Sequence, residues 1–472
     1  MLAGIFVVIF TVIKQSYTQE ETSYVRVSQN SIVPFEFMVN GSETVVLFQF
    51  DGDNPQMIKK SPRYLQSLSM SREVVALATG SDHELYVATD QDLISVDFNV
   101  ETAVVSQDGT GVAYVKNVTN EVGDLYLYDV KSKKSRKVAS KVSLHDYRLS
   151  PDGESIAYCK VQKPGMQFDL YVSVDKKESK MIASEEKPVG ISNHGTYLYA
   201  MGEKGFYLFQ DEKMVKLGNG YNEAGTNLMF NRDYSQVLYF DEGKTYLSLE
   251  GSIKPLTEGV IFNVVLPIDA NLGWNPSGIL SFANHIIQKE DGFYYINDQF
   301  ELIYLDKNLG SWQVAEDQKS FLLIENQEIY KLKDFNHKTI TKEKLGDASN
   351  VIRFTANHDL SIIYYINHDS ELFCMKENGK TIKIADQVAD FSLNYYDGLC
   401  YYVTEFDEIQ EGGLYYTSGQ EEGKSVKNLE RAMLGGMSGG ILAADLMENG
   451  NMDIYALING EAKLMISNVR NQ

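Results

Sequence analysis

Along this chain a small polar turn leads, again and again, into a short run of apolar residues. Such turns begin at Leu68, Ser106, Ser150, Ser192, Asn231, Asn275, Ala315, Ala356, Leu393 and Gly435, at intervals of 37 to 44 residues. The clearest copy is Ser150-Pro151-Asp152-Gly153-Glu154-Ser155, which opens on Ile156-Ala157-Tyr158. Ser106-Gln107-Asp108-Gly109 before Val112-Ala113-Tyr114 repeats it, as does Asn231-Arg232-Asp233-Tyr234 before Val237-Leu238-Tyr239. The copies at Leu68 and Asn275 are weak. A period of this length held across most of a chain is the mark of a repeat architecture.

The second half of each unit is patterned too. Asp124-Leu125-Tyr126-Leu127-Tyr128-Asp129 precedes the charged run Lys131 to Lys137, and Asp169 to Asp175 precedes Lys176-Lys177-Glu178. Period-two alternation between Asp, Gly and Lys clusters reads as strand, hairpin, strand. Asp-Gly suits the turn because glycine accepts positive φ without a clash and the Asp side chain bonds the local backbone. Each unit of about 41 residues therefore supplies four short antiparallel strands, the content of one propeller blade.

The turn Ser150-Pro151-Asp152-Gly153, with Ile156-Ala157-Tyr158 and Asp169-Leu170-Tyr171 after it, resembles the WD40-like repeat of TolB-type and prolyl-oligopeptidase-type β-propellers. The resemblance covers most of residues 68 to 468 and identifies a blade rather than an activity. It implies an all-β propeller, of which the family includes periplasmic scaffolds and non-catalytic gating domains of serine peptidases. Such rings usually have about six to eight blades. Ten units imply an unusually large ring, some units that do not close as blades, or two smaller propellers. Even spacing favours one ring of about eight to ten four-stranded blades. Ring closure is expected to pair a strand at Thr44-Val45-Val46-Leu47-Phe48 with one at Asp453-Ile454-Tyr455-Ala456-Leu457.

Composition adds to this picture. The chain has 30 Tyr and 2 Trp, and tyrosine is favoured on pleated, half-buried strands. The doublets Tyr294-Tyr295, Tyr364-Tyr365, Tyr401-Tyr402 and Tyr415-Tyr416 recur at repeat positions, which predicts one ring packed between blades and one at the strand edge rather than a sugar platform. A net charge of −22 leaves no basic face for a phosphate backbone, so nucleic acid is excluded as a partner, and so is adsorption of the propeller to anionic lipid. Lys131 to Lys137 is then a solvated hairpin tip.

Candidate chemistry is sparse. Cys159, Cys374 and Cys400 are odd in number and widely spaced, so they form no disulfide framework, and Cys159 and Cys400 read as buried apolar residues. Gly436-Met437-Ser438-Gly439-Gly440 matches the nucleophile-elbow pattern, but the chain ends at Gln472 and the last histidine is His368, upstream of the serine. Those glycines fall in register with the other repeat turns. The histidines show no metal-ligand spacing, with His194 and His358 in turns, and Asp51-Gly52-Asp53-Asn54 reads as a hairpin turn rather than a calcium loop. No nucleotide motif, cofactor site, metal site or catalytic residue is identified. The sequons at Asn40 and Asn117 matter only in a eukaryotic secretory pathway.

Met1 to Ile13 is uncharged and apolar, too short for a spanning helix and without the positive leader of a signal peptide. It reads as the outer half of an anchor helix, as an atypical signal, or as a strand of the ring. The organisation expected is an apolar segment over residues 1–15, a polar stalk over 16–31 and the propeller over 32–472. The expected function is non-enzymatic: an extracytoplasmic propeller at a bacterial cell surface, membrane-anchored or secreted, touching membrane only through its N-terminal segment. It would bind a protein, peptide or glycan at its axial face. The alternative is an axial-site lyase or glycoside hydrolase.

Overall fold

The computed structural model describes residues 32–39, 42–51, 54–61, 64–69, 74–78, 83–89, 92–163, 167–211, 213–219, 228–265, 281–307, 311–315, 320–325, 327–336, 339–347, 350–394, 398–404, 412–420, 422–434, 442–446 and 451–470, the first three stretches as backbone only. The segments 1–15 and 16–31, the turn at Asn275 and the Gly436–Gly440 motif lie outside the described residues.

Where the sequence alternates, the chain forms strands, and where Asp, Gly and Lys cluster it reverses. In the second unit Val100–Val105, Gly111–Thr119, Val122–Asp129 and the start of Lys134–Leu149 pair antiparallel in chain order. Six separate four-stranded sheets repeat this order. A sheet of seven strands holds the second and third units, because Lys134–Leu149 closes one and opens the next across a register break between Val142 and Tyr147. A larger sheet holds the last two units, joined where Gly412 and Gly413 face Ala432 and Arg431. Close approaches between successive sheets involve first and second strands, as where Val100–Val105 lies beside Tyr64–Leu68 and Lys187–Ile191 beside Lys134–Leu149. The sheets thus fan from a hub of first strands, and the fold is a β-propeller.

Each apolar triplet serves two interfaces, since successive side chains on a strand point to opposite faces. Val112 and Tyr114 pack on the first unit, whereas Ala113 and Val115 pack on the third. Ile156 and Tyr158 then face back and Ala157 faces forward to Ile191 and Leu198. The same split runs on to Tyr401 and Val403, which pack against Ala432, Ala443 and Leu457 of the last unit. The core is a file of sheet-to-sheet interfaces, each shared by two neighbours only.

The turns carry a hydrogen-bond set that explains their sequence. Ser106 Oγ accepts the Gly111 N–H at 2.9 Å, Ser150 Oγ that of Ser155 at 2.9 Å, and Ser192 Oγ that of Tyr197 at 2.8 Å. Asn231 and Asn357 accept the same i+5 bond through Oδ1. The Asp two residues on accepts a second backbone N–H, as Asp152 does from Glu154 at 3.1 Å. Gly109, Gly153 and Gly195 sit at φ +77, +67 and +62, and Tyr234 and Leu360 take up the same left-handed conformation in their units. Neighbouring turns also join. Thr110 Oγ1 donates to Asp152 O at 2.7 Å and Asp152 N–H to Asn193 Oδ1 at 3.0 Å.

Tyrosine abundance has a structural cause. Tyr114, Tyr158 and Tyr239 on second strands are buried and stack on the directly opposite Tyr126, Tyr171 and Tyr246, with centroids 5.4, 5.7 and 5.4 Å apart. Lys116 and Lys160 lie over Tyr126 and Tyr171, both 5.6 Å from the ring centre. Two of the four doublets are more buried than expected, while Tyr294-Tyr295 keeps one ring buried and one half-buried. Tyr364 and Tyr365 are both buried but face different neighbours, and so do Tyr401 and Tyr402. On central strands the second ring has no edge to occupy, so it fills the opposite interface.

Two other expectations are corrected. Ser42–Asp51 does not pair with Asn451–Ile458. Each is the middle strand of its own sheet, with both backbone edges already taken: the first by Ile32–Val39 and Asn54–Ser61, the second by Leu446 and its neighbours and by Glu461–Arg470. Ile32–Val39 instead lies beside Glu461–Arg470 and also beside Tyr64–Leu68. The basic run is not wholly a solvated tip either. Lys134 to Lys137 belong to a strand, and the Arg136 Nε and Nη2 atoms are buried without a hydrogen-bond partner among the described residues.

Candidate functional site

Loops of every blade return to the same two faces of a propeller, and first strands line its hub, so the hub is where distant residues can meet. The large side chains left exposed on the first strands include apolar residues and arginines, together with Glu101 on Val100–Val105 and His145 on Lys134–Leu149. Phe262 and Ile352 are each 54 % exposed, and Val104 on Val100–Val105 is also exposed. Beside them stand arginines, Arg148 on Lys134–Leu149, Arg353 on Val351–Ala356 and Arg431 on Arg431–Leu434. Many lysines pair with acids on the outer strands and hairpins, as in Lys137–Asp124, Lys244–Glu258 and Lys333–Glu343, whereas Lys187 and Asp146 pair between two first strands.

One hub contact joins neighbouring units closely. Tyr234, in the turn of the fifth unit at φ +61, lays its ring on Gly190 of the fourth, where an added Cβ would stand 2.6 Å from Cδ1. Its hydroxyl reaches the Gln107 side chain of the second unit and lies in the field of Arg148 of the third. Burial raises its pKa and the guanidinium partly offsets this. Arg148 Nη1 donates to the carbonyls of Tyr147 at 2.7 Å and His145 at 3.3 Å, which fixes the guanidinium at the hub. Tyr147, whose hydroxyl is 2.9 Å from Thr102 Oγ1, ties the second and third first strands together, and burial pushes its pKa up to about 12. Across the hub, Arg353 is held by Asp390, by Phe391 O at 2.7 Å and over the Phe391 ring.

The sequence-level candidates disperse. Cys159, Cys374 and Cys400 are all buried and free, with burial raising each thiol pKa. His194 is exposed in its turn, 2.9 Å from Asp175 Oδ1, and His358 is half-buried. His285, to which the sequence draws no attention, is fully buried, donates its Nδ1–H to Ala283 O at 2.9 Å, and is pushed down to about 4 by desolvation. The Gly436–Gly440 segment joins Arg431–Leu434 to Leu442–Leu446, which pair antiparallel through Met433 with Ala444 and Leu434 with Ala443. Asp51 and Asn54 pair across a hairpin. No group of three or more His, Cys, Asp or Glu able to hold a metal ion exists among the described residues. Gln107, Arg148, Gly190 and Tyr234 carry no spacing signal; only the fold brings them together.

No family model matches the chain, and no curated protein does. Among solved structures it is similar to the tricorn protease, with 11 % identity over 92 % of this chain and 52 % of that one, at a TM-score of 0.28. It is similar to TolB from Acinetobacter baumannii, with 12 % identity over 52 % and 68 %, at 0.29. It is also similar to the β-propeller domain of the Trilobed protease from Pyrococcus furiosus, with 12 % identity over 69 % and 98 %, at 0.31. The chain thus spans about half the length of the tricorn protease.

Proposed function

We propose that this propeller is a non-enzymatic binding module that takes a protein, peptide or glycan partner at its hub, outside the cytoplasm and tethered by its N-terminal segment. The observation that carries the reading is the kind of side chain left exposed on the first strands. Exposed Phe262, Ile352 and Val104 beside fixed arginines supply apolar area and planar hydrogen-bond donors, which are the groups that anchor interfaces. General acid–base chemistry instead calls for carboxylates and histidines converging within hydrogen-bond reach of one reacting atom.

The test is a binding screen of the immobilised full chain against peptide and glycan arrays, repeated with Phe262→Glu, Ile352→Glu and, as a rim control, Leu464→Glu. Ligands held by the wild type and by Leu464→Glu are expected to be lost at least tenfold by the hub variants. Equal retention by all three variants would remove the hub from consideration. Turnover of a captured glycan would replace the binding reading with the lyase or hydrolase alternative. Location is tested separately: chain recovered from the membrane fraction with its N-terminal peptides intact supports the tether, and chain found only in cytosol overturns it.

A further inference from the structure

The crossing from the third unit to the fourth holds a carboxyl group that nothing in the hub chemistry uses. Lys180–Ser184 ends the third unit, Lys187–Ile191 begins the fourth, and Glu185-Glu186 make the passage between them. Glu186 is nine-tenths buried, and its Oε2 has no hydrogen-bond partner among the described residues. The carboxyl lies on Gly202, where an added Cβ would stand 2.2 Å from Oε2, so only glycine makes room for it. Glu185 beside it is left-handed at φ +67, a conformation disfavoured for a residue with a Cβ. The Glu186 carbonyl accepts the Cys159 thiol of the third unit at 3.4 Å, so the passage is bonded to both units.

We propose that Glu186 is a proton-operated latch on the junction between the third and fourth units, seated on Gly202 when neutral and released toward Lys204 when ionised. Desolvation, with Glu185 adding to it, pushes its pKa up to about 7, and Lys204 opposes the rise. The other charged or titratable groups near the passage are Tyr207 on the strand after Lys204, the Lys187–Asp146 pair at 3.1 Å and the Cys159 thiol. Lys204 is engaged by Glu185 at 3.8 Å on an exposed turn, so it can receive a second carboxylate without burial. The sign follows from linkage. The seated form keeps its proton up to about 7, whereas a released glutamate loses it near 4.3, so opening sheds a proton between those values. Opening therefore becomes more favourable by about tenfold per pH unit in that window and levels off above it.

Hydrogen exchange of the full chain, corrected for intrinsic rates, reads this directly in peptides spanning residues 185–202. Between pH 5 and pH 7.5 protection there is expected to fall at least tenfold and then to stay constant to pH 9, while peptides spanning 351–376 keep theirs. Glu186→Gln, neutral throughout, is expected to retain the pH 5 protection at every pH. Gly202→Ala, which evicts the carboxyl, is expected to show the pH 9 level throughout. An unchanged wild-type profile overturns the latch without recourse to any variant, and so does a Glu186→Gln profile that still falls with pH.

Discussion

Glycines with the same left-handed φ stand in very different surroundings in this chain, and that difference decides what a methyl group would cost. At Gly153, φ is +67 and an added Cβ would lie 2.9 Å from Gly111 N and 3.0 Å from Ser106 Oγ, in the neighbouring turn. At Gly259, φ is +78 with nothing within 4 Å. Gly259→Ala should cost only the conformational penalty, about 1–2 kcal/mol, and Gly153→Ala should cost clearly more because two backbone turns must part. Urea melts of the two variants check the order, and equal losses would mean that the turns yield freely. Tyrosine hydroxyls give a second contrast. Tyr239 OH is buried without a hydrogen-bond partner among the described residues, so Tyr239→Phe should be neutral or stabilising. Tyr114 OH donates to Asp97 Oδ2 at 2.9 Å in a site that also holds Lys116, so Tyr114→Phe should lose about 1–2 kcal/mol. Thermal denaturation of the pair reads both. The sequence places these tyrosines between blades through their register, but whether a hydroxyl finds a partner depends on a neighbouring strand and leaves no trace in spacing.

At the scale of elements, strands and turns were legible because period-two alternation and the Ser/Asn-x-Asp-Gly turn are local physics, complete within a dozen residues. The strand Lys134–Leu149 was not, since it passes from the rim of one unit to the hub of the next through alternating residues with no Gly or Pro to mark the crossing. The hub constellation of Gln107, Arg148, Gly190 and Tyr234 was equally invisible, because it draws on four units. One bond between units is open to titration. Asp129, in the hairpin that follows Val122–Asp129, accepts the Ser132 N–H at 2.8 Å and pairs with Lys176 of the third unit at 3.0 Å. The Ser132 N–H first and Lys176 after it hold its pKa down to about 2. A depressed carboxylate stabilises the folded chain at pH values above its ordinary range near 4, and that contribution is lost as pH falls toward 2. Partial exposure limits it to about 1 kcal/mol. Asp129→Asn should therefore melt lower than wild type at pH 7, and the difference should vanish by pH 2. A gap that persists at pH 2 would assign the loss to the amide itself.

For the whole molecule, the shared triplets have a consequence for cooperativity. Each sheet buries its two faces against its two neighbours, so stability is close to a sum of units and nearest-neighbour interfaces, as in other repeat proteins. The meeting of Ile32–Val39 with both Tyr64–Leu68 and Glu461–Arg470 adds one contact between distant parts of the chain. Sequence reading missed its form because central and edge strands look alike when only the apolar residues are counted. The seventh unit offers a probe of how far coupling extends. Trp312 stacks on fully buried Phe321 with centroids 5.9 Å apart, inside the interface that also buries Phe293 and Leu332. In a Trp274→Phe background Trp312 is the sole tryptophan, so its fluorescence reports this interface while far-UV circular dichroism reports all strands. Phe321→Ala opens a cavity worth about 3–5 kcal/mol at that one interface. If coupling is local, the fluorescence transition should move to lower denaturant and separate from the dichroism transition, which should keep most of its amplitude at the original midpoint. Two transitions that shift together would mean that the meeting of Ile32–Val39 with Glu461–Arg470, and the hub contacts between units, bind the units into a single cooperative fold.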